Sequence, residues 1–150
     1  MRFIRAKGVG RHVQVKFKSR ELAAKRDKAL FDLGFASYRD YLRSDLWKAI
    51  RAAVLETTPK CELCDSKAQH VHHLRYTRQS LTARARWALV AICAECHRKV
   101  EFDEDGRKRH FAAVYKQTKI LMKLAGKWDD HKRQRAKGSR QGITGDVHSG

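Results

Sequence analysis

Cys61-Glu-Leu-Cys64, Val71-His72-His73-Leu74-Arg75-Tyr76 and Cys93-Ala-Glu-Cys96-His97-Arg-Lys-Val-Glu101 decide how this sequence is read. All 4 cysteines of the protein lie in this stretch, as two Cys-x-x-Cys pairs with none left over. Four soft thiolates on two short knuckles match the tetrahedral ligand set of a structural zinc site at Cys61, Cys64, Cys93 and Cys96. The alternative, two disulfides, belongs to secreted chains. A zinc held by four sulfurs needs no nitrogen, yet a histidine pair falls between the knuckles and His97 follows the last cysteine directly. On a helix, His97 and Glu101 share a face and can bind one ion together. Joined by a strand histidine they make a second, harder site with positions open for water and a phosphate oxygen.

Working outward, charge is the dominant compositional fact. The chain carries 34 Lys and Arg against 16 Asp and Glu, a formal charge of +18. Such a field draws in polyanions and points to nucleic acid as partner. No apolar run approaches the length of a membrane span. Met-Arg-Phe-Ile-Arg-Ala-Lys-Gly at the N-terminus lacks the apolar core of a signal peptide. Thiols meant for zinc suit a reducing compartment, so the expectation is an intracellular, cytoplasmic protein with no membrane partner.

Residues 1–18 alternate around Gly8 and Gly10, with Phe3 before and Val13, Val15 and Phe17 after. This fits a basic N-terminal β-hairpin or, equally, a solvated arm. A helix is predicted over 20–33, stopped by Gly34. A second starts at Ser44 as N-cap, with Leu46, Trp47, Ile50, Ala53 and Val54 as its apolar stripe. Pro59 breaks the chain before the first knuckle. Strands are read at Gln69–Arg75 and Ala88–Ile92, joined by an irregular basic loop from Tyr76 to Arg86. A helix begins near Ala94, Asp103–Gly106 is a turn, and 107–125 is a further helix with Phe111, Val114, Tyr115, Thr118 and Leu121 on one face. Trp128 is the last large anchor. The division expected is 1–37 (hairpin and helix), 38–125 (the central domain with flanking helices) and 126–150 (a basic, disordered tail).

The paired motifs, with Tyr76 and Arg78 after the histidines and Leu89-x-x-Ile92 before the third cysteine, resemble the zinc-stapled HNH endonucleases. Tyr41-Leu42-Arg43-Ser44-Asp45-Leu46-Trp47-Lys48 and Val54-Leu55 are similar to that group's lead-in helix, so the likeness spans roughly residues 38–102. It implies an α+β fold with a ββα-metal core, closed by the zinc. It further implies DNA phosphodiester cleavage that leaves 5′-phosphate and 3′-hydroxyl ends. By the resemblance, His73 is the general base and His72, His97 and Glu101 hold the catalytic ion, Mg²⁺ or another divalent. Arg75, Arg78, Arg84 and Arg86 are the expected nucleic-acid contacts, since guanidinium binds two phosphate oxygens at once. Small proteins of the family it resembles occur in phage packaging, mobile-element and restriction systems, and the resemblance does not choose among them.

Two features stand against a simple transfer. Neighbours on a regular strand face opposite ways, so a straight strand pairs His70 with His72 and not His72 with His73. The family usually has Asn or Asp five residues before the third cysteine, where this chain has Ala88; Gln79, Ser80 and Thr82 are the polar residues nearby. The competing readings are a zinc-stapled nucleic-acid-binding protein with weakened catalysis, and an interaction protein whose zinc merely braces helices.

Overall fold

The computed structural model describes the backbone of residues 9–141 of the 150-residue chain, and the side chains of residues 18–138. Its elements are α1 (Val9–Asp32), α2 (Tyr38–Arg43), α3 (Asp45–Thr57), β1 (His70–His73), α4 (Arg78–Leu81), a 3₁₀ turn at Arg86–Ala88, β2 (Leu89–Ile92), α5 (Ala94–Glu101), α6 (Phe111–Leu124) and α7 (Trp128–Gln141). The class is α+β, with helices packed around one two-stranded antiparallel sheet. Among the described residues no helix is long and apolar enough to cross a membrane.

The helix ends follow from local chemistry. Gly34 takes φ +89° just past α1, which lets the Phe35 N–H reach back to the Leu30 carbonyl. Ser44 both closes α2 and opens α3: its hydroxyl donates to the Tyr41 carbonyl at 2.6 Å and accepts from the Trp47 N–H at 3.2 Å. Within α3 the buried stripe is Trp47, Ile50 and Val54. Leu46 and Ala53 belong to the predicted stripe but lie exposed, because the sheet covers only a narrow sector of the helix.

The sheet pairs His70 with Ile92, Val71 with Ala91, His72 with Val90 and His73 with Leu89. Since side chains alternate, each face buries a different set. Leu89 and Ala91 join Leu30, Tyr41, Trp47, Ile50 and Val54 beneath α1–α3. Val90 and Ile92 join Leu74, Met122 and three of the cysteines beneath α5 and α6. The hairpin is therefore the shared wall of two cores, which explains why all of β2 is buried.

Two expectations are corrected. From Val9 onward the supposed hairpin is helix, continuous with the predicted 20–33 segment; residues 1–8 lie outside the described residues. Helix extension adds a hydrogen bond for each residue ordered, so a strong helix former over 18–32 carries the weakly β-patterned Val13–Phe17 with it. The segment after Gly126 is not a disordered tail up to residue 141. It forms α7, with Asp129 and Asp130 in its first turn, while 142–150 lie outside the described residues. The anchor is aromatic: the His131 ring stands 5.4 Å from that of Trp128 and 5.8 Å from that of Trp87, and Arg135 lies over Trp87.

Candidate metal centres

Cys61 and Cys64 sit on a knuckle between α3 and β1, and Cys93 and Cys96 on the first turn of α5. Asp65, just past the first pair, takes φ 64°, the left-handed turn that tightens the knuckle; aspartate tolerates it better than most residues. Glu62 ties the knuckle to β2, its backbone N–H donating to the Ala91 carbonyl and its carboxylate accepting the Ala91 N–H at 2.7 Å. Backbone amides also point at sulfur: Leu63 N–H donates to Cys61 Sγ and Cys96 N–H to Cys93 Sγ, each at 3.4 Å. The four sulfurs lie within 4.8 Å of one another, with Cys64 and Cys93 Sγ 3.6 Å apart. Tetrahedral zinc with bonds of about 2.3 Å needs sulfurs about 3.8 Å apart. The cluster fits a metal ion such as zinc. Its thiols differ in readiness, since hydrogen bonds from Ser66 hold Cys64 down to about 6 while burial pushes Cys61 and Cys96 up.

The second cluster lies on the Val90–Ile92 face of the sheet. The strand pleat places His70 and His72 together there, and α5 packs across them. The His97 ring stacks on His70 at 4.9 Å and stands 6.1 Å from His72. One turn on, the Glu101 carboxylate comes to 3.9 Å from His97 Nε2. His72, His97 and Glu101 each offer a ligand atom, all within 4.8 Å of one another. Such a three-ligand cluster on one side of an ion leaves its other positions open. Burial holds both imidazoles below their usual pKa, His72 down to about 4. Neutral rings are the form that ligates metal.

A residue outside the predicted site sets the tautomer of His72. The Thr118 hydroxyl, on α6, donates its one proton to the Val114 carbonyl at 2.8 Å, so towards His72 Nε2, 3.3 Å away, it acts only as acceptor. With the hydroxyl proton donated to Val114, the matching tautomer of His72 carries its hydrogen on Nε2 and leaves the Nδ1 lone pair for a metal. Thr118 stood out in the sequence only as a polar member of an apolar face.

His73 is separated from this cluster by the same pleat. Its ring is sandwiched between Trp47 at 4.6 Å and Tyr76 at 5.1 Å, and it is 3% exposed. The Tyr41 hydroxyl donates to the Leu81 carbonyl at 2.9 Å and so accepts from His73 Nε2, 3.3 Å away. That leaves Nδ1 as the lone pair, facing the Tyr38 hydroxyl at 3.4 Å. Burial, then the neighbouring His72, pushes the His73 pKa down to about 3. Ala88 contributes backbone only, its carbonyl accepting the Leu74 N–H at 2.7 Å. The loop is held instead by buried Ser80, whose hydroxyl bonds the Arg75 carbonyl and completes a capping box with Thr77.

Between α1, β1, α5 and α6 runs a cleft of about 500 Å³, bordered by His72, His73, His97 and Glu101. The four arginines expected to contact nucleic acid do not border it. Arg86 is engaged internally, donating to the Leu89 carbonyl and to Thr58. Arg75 lies against the rings of Trp87 and Tyr115, while Arg78 and Arg84 are exposed on and after α4. The basic residues that do border the cleft are Arg26, Lys108 and Arg109. Comparison with models of protein families, with curated proteins and with solved structures returns no match, so the resemblance to a nuclease family rests on the sequence motifs.

Proposed function

We propose that this chain is a metal-dependent endonuclease of the HNH kind, hydrolysing DNA phosphodiester bonds. The observation that carries the reading is the convergence of His72, His97 and Glu101 on one point, beside a four-cysteine cluster that fits zinc. A chain of formal charge +18 brings the polyanion to that point. The three residues would hold a divalent ion, which when bound neutralises charge on the scissile phosphate and steadies the departing oxygen. Glu101 supplies the hard oxygen donor that Mg²⁺ or Mn²⁺ prefers, and Thr118 keeps the His72 lone pair aimed away from α6. His73 is the remaining base, acting at Nδ1, with Trp47 and Tyr76 fixing its ring and Tyr41 holding the proton on Nε2.

A second reading, a zinc-stapled nucleic-acid-binding protein with little catalysis, is favoured by one observation. His73 is enclosed in its aromatic box and held near pKa 3, where it accepts a proton poorly. Nicking of supercoiled plasmid with Mg²⁺, Mn²⁺ or Ni²⁺ separates the two. The nuclease reading expects nicking that falls at least about 100-fold in both His72→Ala and His73→Phe, the latter preserving the ring sandwich. Plasmid that stays intact with every ion, while still being bound, establishes the second reading.

A further inference from the structure

Arg26, Lys108 and Arg109 come from outside the strand–strand–helix unit, yet they are the cations that share the cleft with the histidine–carboxylate cluster. Against these three stands a single bordering carboxylate, Glu101. Lys108 and Arg109 are anchored to that same carboxylate's helix. Phe102 and Lys108 form an antiparallel bridge, and the Arg109 N–H donates to the Glu101 carbonyl at 2.7 Å. A turn braced by Asp103, whose carboxylate accepts from Asp105 and Arg107, closes the loop between them. The two basic residues therefore stand at a set distance from the ion ligands.

Their donors await an acceptor. Arg109 Nε is buried and has no hydrogen-bond partner among the described residues. The exposed Lys108 ammonium forms no ion pair or side-chain hydrogen bond among the described residues. Arg26 is steadied differently: its Nε donates to the Asp27 carboxylate at 3.0 Å, and its guanidinium lies 5.1 Å from the Tyr38 ring centre, 5.6 Å from Phe111 and 5.9 Å from Tyr76. A guanidinium with an unmet donor, beside an ammonium, is built for phosphate oxygens. In the Arg75–Arg86 loop, Arg75 and Arg86 are engaged by packing and internal hydrogen bonds, and Arg78 and Arg84, though exposed, do not border the cleft.

We propose that Lys108 and Arg109, with Arg26 behind them, form the subsite that grips the DNA backbone next to the ion position, in place of Arg75, Arg78, Arg84 and Arg86. This deepens the nuclease reading and rests on it for the site's purpose, but its test reads binding alone. The zinc-loaded protein is titrated onto a fluorescent 20-base-pair duplex, with no other divalent ion, at several salt concentrations, and anisotropy is recorded. The expected result is that Lys108→Ala/Arg109→Gln raises Kd about tenfold or more and reduces the steepness of log Kd against log salt by about two, one for each lost phosphate contact. Arg78→Ala/Arg84→Ala should leave Kd within about threefold. Lys108→Ala alone, at an exposed position, should lower the salt slope by about one. Equal losses in the two double variants, or a loss confined to the Arg78/Arg84 pair, would overturn the subsite. A protein that binds as expected but never nicks overturns the nuclease reading and leaves the subsite standing.

Discussion

The two faces of the β1–β2 sheet give adjacent histidines different surroundings. On the Val90–Ile92 face, His72 meets His97 and Glu101 at the edge of an open, basic cleft. On the Leu89–Ala91 face, one residue along, His73 is enclosed by Tyr38, Tyr41, Trp47 and Tyr76. Both rings are buried and neutral, so burial alone does not distinguish a ligand from a packed ring. Partners do. His72 has one nitrogen engaged and one free, whereas both nitrogens of His73 face tyrosine hydroxyls.

The hardest blow to this contrast is loss of the four-cysteine cluster, which brings the knuckle against the start of α5 and fits a metal ion such as zinc. Cys61→Ser or Cys93→Ser should release the bound metal and abolish the cooperative thermal transition, because a structural zinc supplies on the order of 10 kcal/mol to folding. Metal content and circular-dichroism melts check this; a mutant that melts cooperatively without metal contradicts it. A finer cut keeps the fold and changes only the second cluster. His72→Ala should remove Mn²⁺ binding measured by calorimetry on zinc-loaded protein, while Thr118→Val, which removes the acceptor for Nε2–H along with the hydroxyl's bond to the Val114 carbonyl, should weaken it about 10–100-fold. Zinc content should stay unchanged in both. An unaltered Mn²⁺ affinity in Thr118→Val would mean that the tautomer is set elsewhere.

The smallest effect is a pH dependence away from both faces. His131, on α7 with its ring between those of Trp87 and Trp128, has its pKa lowered from 6.5 by burial and then by Arg135. Above about 6.5 neither the folded nor the unfolded chain binds a proton at this ring, and its share of stability is present in full. As pH falls below that value the unfolded chain takes up the proton first, and stability is lost until the lower folded pKa is passed. His131→Phe, retaining the ring stack, should flatten that part of the stability–pH curve relative to wild type. Identical slopes in urea melts between pH 7 and 5 would show that the ring does not titrate on unfolding.

Much of this was legible beforehand. Ser44, Gly34 and Pro59 mark their boundaries through local chemistry, and each acts at the predicted place. The strand alternation that pairs His70 with His72 is likewise a property of any pleated segment, and the fold obeys it. What misled were regions whose order comes from distant partners. Val13, Val15 and Phe17 alternate like a strand but are carried into α1 by the helix that follows. The polar segment after Trp128 becomes α7 because Trp87, forty residues earlier, receives His131 and Arg135. Arg75, Arg78, Arg84 and Arg86 follow the histidines in sequence but do not border the cleft, whose cations come from α1 and the α5–α6 loop.

By itself the sequence determined the ligand chemistry: four thiolates in two knuckles, and a histidine and a carboxylate one helical turn apart, because metal-site spacing and helix period are local. Tertiary structure alone decided which of two neighbouring histidines joins them, which hydroxyl from α6 fixes that ring's proton, and which cations from α1 and the α5–α6 loop stand beside it. Those are choices among side chains far apart in the chain. They are settled only when two cores close on opposite faces of one short hairpin.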